Sequence, residues 1–139
     1  MTALITDKID SGQSRRQVLE ASVKYMMIHY IDQSVLQFDE NGEEIEDLEE
    51  TRIREAWDNE MKERGILVGG GVLDLPQTTT TLRVRNGDVL VTDGPFTETK
   101  EQIAGYAVLE CADLEEAIEV SSRHPTGTYG TFELRPYLQ

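Results

Sequence analysis

The sequence predicts an α+β domain with a ferredoxin-like antiparallel sheet and two helices on one face. Two observations lead to this prediction. Strand and helix patterns alternate in the order strand, helix, strand, hairpin, strand, helix, strand. The tetrapeptide DLEE also occurs twice, at 47–50 and 113–116, and each copy opens a predicted helix between two predicted strands. Together they indicate two β-α-β halves elaborated by a hairpin.

Length and charge restrict what the chain binds. Its 139 residues suffice for one domain, and 27 acidic against 13 basic residues give a net charge of −14. Because such a chain repels phosphate backbones and anionic lipids, we expect neither a nucleic acid nor a membrane partner. The single cysteine, Cys111, cannot form an internal disulfide, and the N-terminal residues lack the apolar run of a signal peptide. We therefore predict a soluble, cytoplasmic protein.

Two regions are predicted along the chain: a flexible N-terminal tail over 1–23 and a folded domain over 24–139. The tail is polar, and its apolar residues follow no clear period. The domain begins with KYMMIHYI at 24–31, which is almost continuously apolar and indicates a central strand. Eight acidic residues and no basic residue occupy 39–50, which indicates a solvated loop leading into a helix.

The first helix is predicted over 47–64. Asp47 is its expected N-cap, Glu50 the capping-box partner, and Gly65 the residue that ends it. Its predicted buried stripe consists of Ile53, Ala56, Trp57 and Met61. The second helix opens at Asp113. Its predicted buried stripe consists of Leu114, Ala117, Ile118 and Ser121.

Asn86-Gly87 joins LRVR to DVLVT, which is the strongest short-range signal for a two-residue hairpin turn. In that register Val84 lies opposite Val89, so that apolar residues pair across the strands. Three glycines at 69–71 interrupt the preceding strand and indicate a bulge or a close approach of two backbones. The remaining strands are predicted at 66–75, 102–110 and 129–137.

One face of the predicted sheet is left uncovered. The helices of this topology lie on a single face, whereas the strand at 24–31 is apolar on both sides. Two subunits packing sheet to sheet would cover the second face, which we place around Met27, Ile31 and Tyr106. We therefore predict a homodimer.

Two histidines are candidates for proton transfer or ligand binding. His29 lies in mid-strand, where it is either a core or interface residue or a functional group. His124 follows the second helix, where it is either a C-terminal cap, favoured in its protonated form by the helix dipole, or a proton-transfer or ligand-binding group. The sequence has no phosphate-binding loop, no HExxH motif and no paired cysteines, so we predict no metal and no cofactor.

The segment VTDGPFTETKE at 91–101 is the densest motif in the chain. Asp93-Gly94-Pro95 alone fits an ordinary strand-ending turn. The block DGPFTETKEQIAGYAVLE, with KYMMIHY and LVGGGVL before it and DLEEAIEVSSRHP after it, resembles the YCII-related family in its DGPF form. This resemblance covers about 24–137.

The resemblance implies a ferredoxin-like domain assembled as a dimeric α+β barrel, in agreement with the order of the elements. It implies no specific reaction. Some DGPF proteins resemble products encoded beside extracytoplasmic-function sigma factors, which implies a regulatory setting. In YCII-type relatives a histidine and an aspartate are proposed as an acid–base pair. Here His124-Pro125 stands at the position of that aspartate, and the first helix holds no histidine, so the pair is not intact.

Two functions of different classes are consistent with these observations, and only one of them includes an enzyme. The first is binding of a small organic molecule in a pocket of the dimeric barrel, with or without cofactor-free acid–base catalysis. The candidate catalytic residues are His124 and Asp93, and the candidate ligand-binding residues are Asp93, Glu98, Lys100, His29, Trp57 and Tyr106. The second is a non-catalytic regulatory or interaction protein with a sigma-factor-related partner. If Asp93 lies beside His124, its carboxylate should raise the pKa of the imidazole.

Overall fold

Two β-sheets and two α-helices make up residues 21–139, the part of the chain that the computed structural model describes. The strands are β1 (Val23–Asp32), β2 (Leu67–Val72), β3 (Thr80–Arg85), β4 (Asp88–Asp93), β5 (Glu101–Cys111) and β6 (Thr131–Pro136), and the helices are α1 (Leu48–Glu63) and α2 (Leu114–Ser122). Their order is the predicted one, which confirms the α+β class. The predicted tail falls almost entirely on residues outside the described part.

Four strands form an antiparallel sheet in the order β2-β5-β1-β6. Each β-α-β half contributes one central strand and one edge strand, which is the ferredoxin-like arrangement. The central strands β1 and β5 are the longest, and their pairing is irregular between His29 and Tyr30. The register of β2 against β5 also shifts, between Leu67 and Gly69, so the glycine-rich strand contains the expected irregularity.

The core lies between this sheet and the helices. Its largest fully buried side chains are Met27, Met61, Ile66, Leu109, Val120 and Cys111. Met27 and Leu109 occupy positions of the central strands that point toward the helices. The prediction that placed Met27 on the uncovered face is therefore wrong. A run that is apolar at every position does not reveal which alternate residues face the helices.

The other face of the sheet carries Met26 and Ile28 of β1 beside Val108 and Tyr106 of β5, and we call these four residues the outer face. The first three are half-buried, and Tyr106 is 37% exposed. Tyr106 lies where it was predicted. Ile31, also predicted here, lines a depression at the end of the sheet.

Both helices have the predicted period, but their buried sides differ from the predicted stripes. Buried as predicted are Trp57, Met61, Ala117 and Ser121, whereas Ile53, Ala56, Leu114 and Ile118 are exposed. In α1, Arg54 and Asp58 are half-buried and share the face of Trp57. In α2, Val120 joins the buried side. In both helices, the buried side is thus displaced by about one residue position from the side that the sequence predicted.

Local signals placed the ends of α1 correctly. Asp47 Oδ1 accepts hydrogen bonds from backbone N–H groups of the first turn, including that of Glu50 at 3.1 Å. Gly65 has a φ of 74°, and the turn it forms lets Ile66 N donate to Met61 O at 2.8 Å, which closes the helix. The side chain of Glu50 has other partners, described below.

The hairpin of β3 and β4 forms a two-stranded sheet of its own. Asn86 and Gly87 have positive φ angles of 53° and 85°, which fit the predicted two-residue turn. Val84 lies opposite Val89, so the predicted register is confirmed. Asn86 tolerates this conformation better than most residues other than glycine, which explains the choice of Asn-Gly here.

Candidate functional site

A broad depression of about 1250 Å³ opens at one end of the four-stranded sheet. It is bounded by the end of β1, by α1 and β2, by the start of β5 and by the turn that follows α2. Its aromatic and imidazole side chains are His29, Trp57, Tyr106, His124 and Tyr129. The first four come from separate segments and are candidate residues from the sequence, so the fold brings them to one place.

His124 lies between α2 and a 3₁₀ turn at Pro125–Thr128. The C-cap of α2 is Arg123, and His124 Nδ1 accepts a hydrogen bond from Thr126 N at 3.2 Å, so the imidazole caps the next turn. The interpretation of His124 as a helix C-cap is therefore wrong. Because Nδ1 is an acceptor, the proton of the neutral ring is assigned to Nε2.

Three rings pack around His124. The ring centroids lie 4.8 Å from that of Trp57, 4.9 Å from that of His29 and 5.5 Å from that of Phe132, all edge to face. Such contacts set electropositive ring edges against neighbouring ring faces and fix the orientation of each ring. His29 Nε2 is buried and has no hydrogen-bond partner among residues 21–139. Packing rather than hydrogen bonding at this nitrogen holds His29 in place.

Both imidazoles are neutral at pH 7. Burial lowers the pKa of His29 from 6.5 to about 4. Burial, and after it the charges of His29 and Arg54, lowers the pKa of His124 to about 4 as well. The protonated form expected for His124 is disfavoured, because burial desolvates the imidazole. The imidazoles therefore supply hydrogen-bonding groups without a positive charge.

Trp57 ties α1 to α2, since its Nε1 donates to Val120 O at 2.8 Å in a buried contact. We predict that Trp57→Phe lowers the free energy of unfolding by about 1 kcal/mol, because it removes a buried hydrogen bond while Val120 O keeps the bond from Arg123 N at 3.3 Å. Urea unfolding followed by circular dichroism measures the change. The matched control is Tyr137→Phe, which removes a polar group from an exposed ring and should cost less than about 0.5 kcal/mol. Equal effects of the two substitutions would contradict the prediction.

A hydrogen-bonded group of three side chains lies at the edge of the depression. Tyr129 Oη donates to Glu50 Oε2 at 2.6 Å, and Arg54 Nη1 donates to the same oxygen at 3.2 Å. Burial, followed by the bond to Glu50, raises the pKa of Tyr129 to about 12, so the phenol stays protonated. No pattern in the sequence predicted this group as a whole. The four-residue spacing of Glu50 and Arg54 was a detectable signal for their pairing, but nothing local pointed to Tyr129.

Acidic side chains outnumber basic ones around the depression. The acidic residues that line it are Glu44, Glu46, Asp47, Glu50, Asp58 and Asp74, and the basic ones are Arg54 and Lys62. Because both imidazoles are neutral, they do not offset this excess. The local potential disfavours an anionic ligand and favours a neutral or cationic one.

Comparison with known proteins assigns the family. A family model described as YCII-related domain matches residues 3–139. The chain belongs to the YCII-related family. An uncharacterized protein of Rhizobium meliloti (strain 1021) is 42% identical to it over 73 residues, which cover 48% of this chain and 57% of that relative. The match thus spans little more than half the length of the relative.

In this YCII-related domain the candidate loop residues lie away from the depression. Asp93 ends β4 and pairs with Thr80 across the hairpin. Glu98 and Lys100 are exposed in the loop that follows. None of the three lines the depression, so the fold does not bring Asp93 to His124 there.

Residues 21–139 of the YCII-related domain contain no group of three or more histidine, cysteine, aspartate and glutamate side chains placed to hold a metal ion. In the same residues, neither helix is long and apolar enough to cross a membrane.

Proposed function

We propose that this YCII-related domain binds a small organic molecule, neutral or cationic, in the depression beside His124. The observation that carries the proposal is the cluster of His29, Trp57 and His124 in one wall of that depression. Ligand sites combine apolar and aromatic walls with a few fixed polar groups, and this cluster supplies both. Its rings are held by their neighbours, so little order is lost when a ligand binds.

The charge of the wall narrows the ligand class. An organic ammonium group would be attracted to carboxylates such as Glu50 at the rim and to aromatic rings such as that of Tyr129. A carboxylate or phosphate would instead be repelled by the excess of acidic groups. Neutral imidazoles add donor and acceptor positions that suit an uncharged polar group.

His124 is the group that would carry cofactor-free acid–base catalysis, if the bound molecule is also a substrate. A general base works best when its pKa is close to the working pH, and the pKa of His124 is about 4. The site as it stands therefore favours ligand binding over proton transfer. Catalysis would require the bound molecule to raise the pKa of this imidazole.

Three probes that share one ring and differ in charge test the proposal: benzylamine, benzyl alcohol and benzoate. The chain has one tryptophan and two histidines, so the indole N–H signal of Trp57 and the imidazole signals of His29 and His124 are readily assigned by NMR. We expect benzylamine and benzyl alcohol to shift these three signals in a saturable way and benzoate to shift them less.

The control for this titration is the Tyr137 ring, which is exposed and does not line the depression. Its signals should stay unchanged while those of Trp57 and His124 move. The proposal fails if none of the probes moves the three wall signals, or if benzoate binds more tightly than benzylamine.

We also infer that the chain forms a homodimer through its outer face, as an uncovered apolar sheet face requires a partner. Sedimentation velocity at micromolar concentration should give the mass of a dimer. Ile28→Lys on this face should weaken the dimer, whereas Ile118→Lys on the exposed side of α2 should not. A strict monomer, or equal effects of the two substitutions, would contradict the inference.

The second candidate function, a non-catalytic interaction protein, has one observation in its favour. The segment at 37–48 places exposed apolar side chains, including Ile45 and Leu48, between exposed carboxylates. A surface of this kind fits a basic protein partner, and a sigma factor of the extracytoplasmic-function class is the candidate. In an NMR titration with such a protein, shifts confined to 37–48 would favour this function, and an unchanged spectrum would exclude it for the factor tested.

A further inference from the structure

Asp58 is a half-buried carboxylate in the wall of the depression, directly after Trp57 in α1. Within residues 21–139 no group donates a hydrogen bond to it, and no basic side chain forms a contact ion pair with it. Moving a carboxylate out of water is costly unless donors replace the lost water. The missing partner of Asp58 therefore calls for an explanation.

The other five acidic residues of the depression differ from Asp58. Four of them accept hydrogen bonds from groups of the chain: Glu46, Asp47, Glu50 and Asp74. The fifth, Glu44, is exposed, so water can hydrate it. Asp58 is thus the lining carboxylate that is withdrawn from water and receives no donor from residues 21–139.

The basic side chains one turn away on α1 do not compensate the charge of Asp58. Arg54 donates instead to Glu50 Oε2 at 3.2 Å and to Thr51 Oγ1 at 3.4 Å, toward the start of the helix. Lys62 is exposed. Burial raises the pKa of Asp58, and the charges of Lys62 and Arg54 oppose this only in part. The fold therefore leaves this carboxylate in surroundings that disfavour its charge.

The backbone position of Asp58 is fixed by the fold. The neighbouring residue, Trp57, ties α1 to Val120 O through the buried hydrogen bond of 2.8 Å. Binding groups on a helix hold their geometry better than groups on a loop. Little order is therefore lost when a donor of a ligand reaches this carboxylate.

A protonated amine would supply what Asp58 lacks. An ammonium group has a positive charge and several N–H donors, and hydrogen bonds between charged groups are the strong ones. The imidazoles of the same wall are neutral at pH 7, so they do not repel such a group. A hydroxyl group would donate one hydrogen bond without charge, and an anion would be repelled.

We propose that Asp58 binds a protonated amine of the ligand, and that the ligand is an organic amine whose apolar part contacts the wall formed by Trp57 and His124. This proposal rests on the ligand site proposed above. It narrows the ligand class from neutral or cationic molecules to amines, and it gives a binding role to a residue that no sequence pattern indicated.

The substitution Asp58→Asn tests this contact, because it removes the charge and keeps the shape of the side chain. The readout is the titration of the Trp57 indole signal at pH 7, where benzylamine is protonated and benzyl alcohol is neutral. We expect Asp58→Asn to weaken the binding of benzylamine about tenfold or more and that of benzyl alcohol less than about twofold. The matched control, Glu44→Gln, removes an exposed carboxylate of the same depression and should weaken benzylamine less than about threefold.

A second measurement uses the unaltered chain, so it does not depend on the folding of a variant. The methylene protons of benzylamine are next to its ammonium group. In the complex at saturating benzylamine, they should give nuclear Overhauser contacts to the Cβ protons of Asp58, while the ring protons contact the Trp57 indole. No such contact to the side chain of Glu44 is expected.

The outcomes separate this proposal from the one it rests on. If both probes bind the wild type, and Asp58→Asn affects them alike or benzylamine no more than Glu44→Gln does, the Asp58 contact is wrong while the ligand site holds. Absence of the contacts to Asp58 in the saturated wild type would also overturn it, and these contacts decide the matter if Asp58→Asn does not fold. If neither probe moves the Trp57 signal, both proposals fail.

Discussion

Acidification from a pH near 6.5 to a pH near 4 is expected to destabilise the fold. Unfolded histidines titrate near 6.5, whereas burial holds the pKa of His29 and His124 at about 4 in the fold. Between these values the unfolded chain binds more protons than the folded one, so stability falls as pH falls. At about 1.4 kcal/mol for each unit of pKa, and with a discount for partial exposure, the loss is on the order of 2 kcal/mol for each imidazole.

Urea unfolding at a series of pH values measures this loss in the wild type and in the His29→Asn and His124→Asn variants. The 27 acidic groups also titrate in acid, but they are common to all three proteins, so the difference between the curves isolates each histidine. NMR gives a direct check, since two histidines produce two resolved titrations. A histidine that titrates near 6.5 in the folded protein would contradict the prediction.

The same protonation should weaken ligand binding. A protonated His124 would present positive charge where a cationic or neutral molecule is proposed to bind, and protonation of Nδ1 would break its hydrogen bond from Thr126 N. The affinity for benzylamine should therefore fall below a pH of about 4, while that for benzyl alcohol should fall less. Protonation of the buried imidazoles is thus expected to lower both the free energy of unfolding and the affinity for the ligand.

The elements that the sequence predicted correctly depend on local signals. The Asp47 cap, the Gly65 terminator and the Asn86-Gly87 turn each involve neighbours within a few positions, and the structure has all three. The four-strand order follows from the alternation of elements. The resemblance to the YCII-related family is confirmed by the family model, which matches residues 3–139.

What the sequence did not predict depends on distant contacts. The bond from Trp57 to Val120 spans 63 positions, and that from Tyr129 to Glu50 spans 79. No local spacing encodes such pairs. The protonation state of His124 was also inferred from its position after a helix, although the rings packed around it decide the pKa.

The predicted proximity of Asp93 to His124 also depends on contacts between distant parts of the chain. A turn at a strand end places a side chain at the edge of a sheet, but the sequence does not say which sheet. β4 belongs to the separate hairpin, so its end does not point into the depression where His124 lies. The DGPF motif is thus located at the base of the hairpin, away from the depression.

Gly70→Ala is expected to destabilise the fold by about 3 kcal/mol or more, through backbone strain together with overpacking. Gly70 has a φ of 150°, and a Cβ added there would lie 2.6 Å from Tyr106 O and 3.0 Å from Ala107 Cα. Both neighbours are backbone atoms of β5, so they cannot move aside without parting the two strands. Because Gly70 also lines the depression, the same change should disturb ligand binding.

The adjacent residue provides a matched control. A Cβ added at Gly69 would approach Val108 Cγ2 at 3.8 Å, which is ordinary van der Waals contact. Gly69→Ala should therefore change the free energy of unfolding by less than about 1 kcal/mol, and the reduced freedom of the unfolded chain favours the alanine. Urea unfolding of both variants measures the contrast. Similar losses from the two substitutions would show that β2 tolerates no side chain in general, and that the close approach of Gly70 to β5 is not the cause.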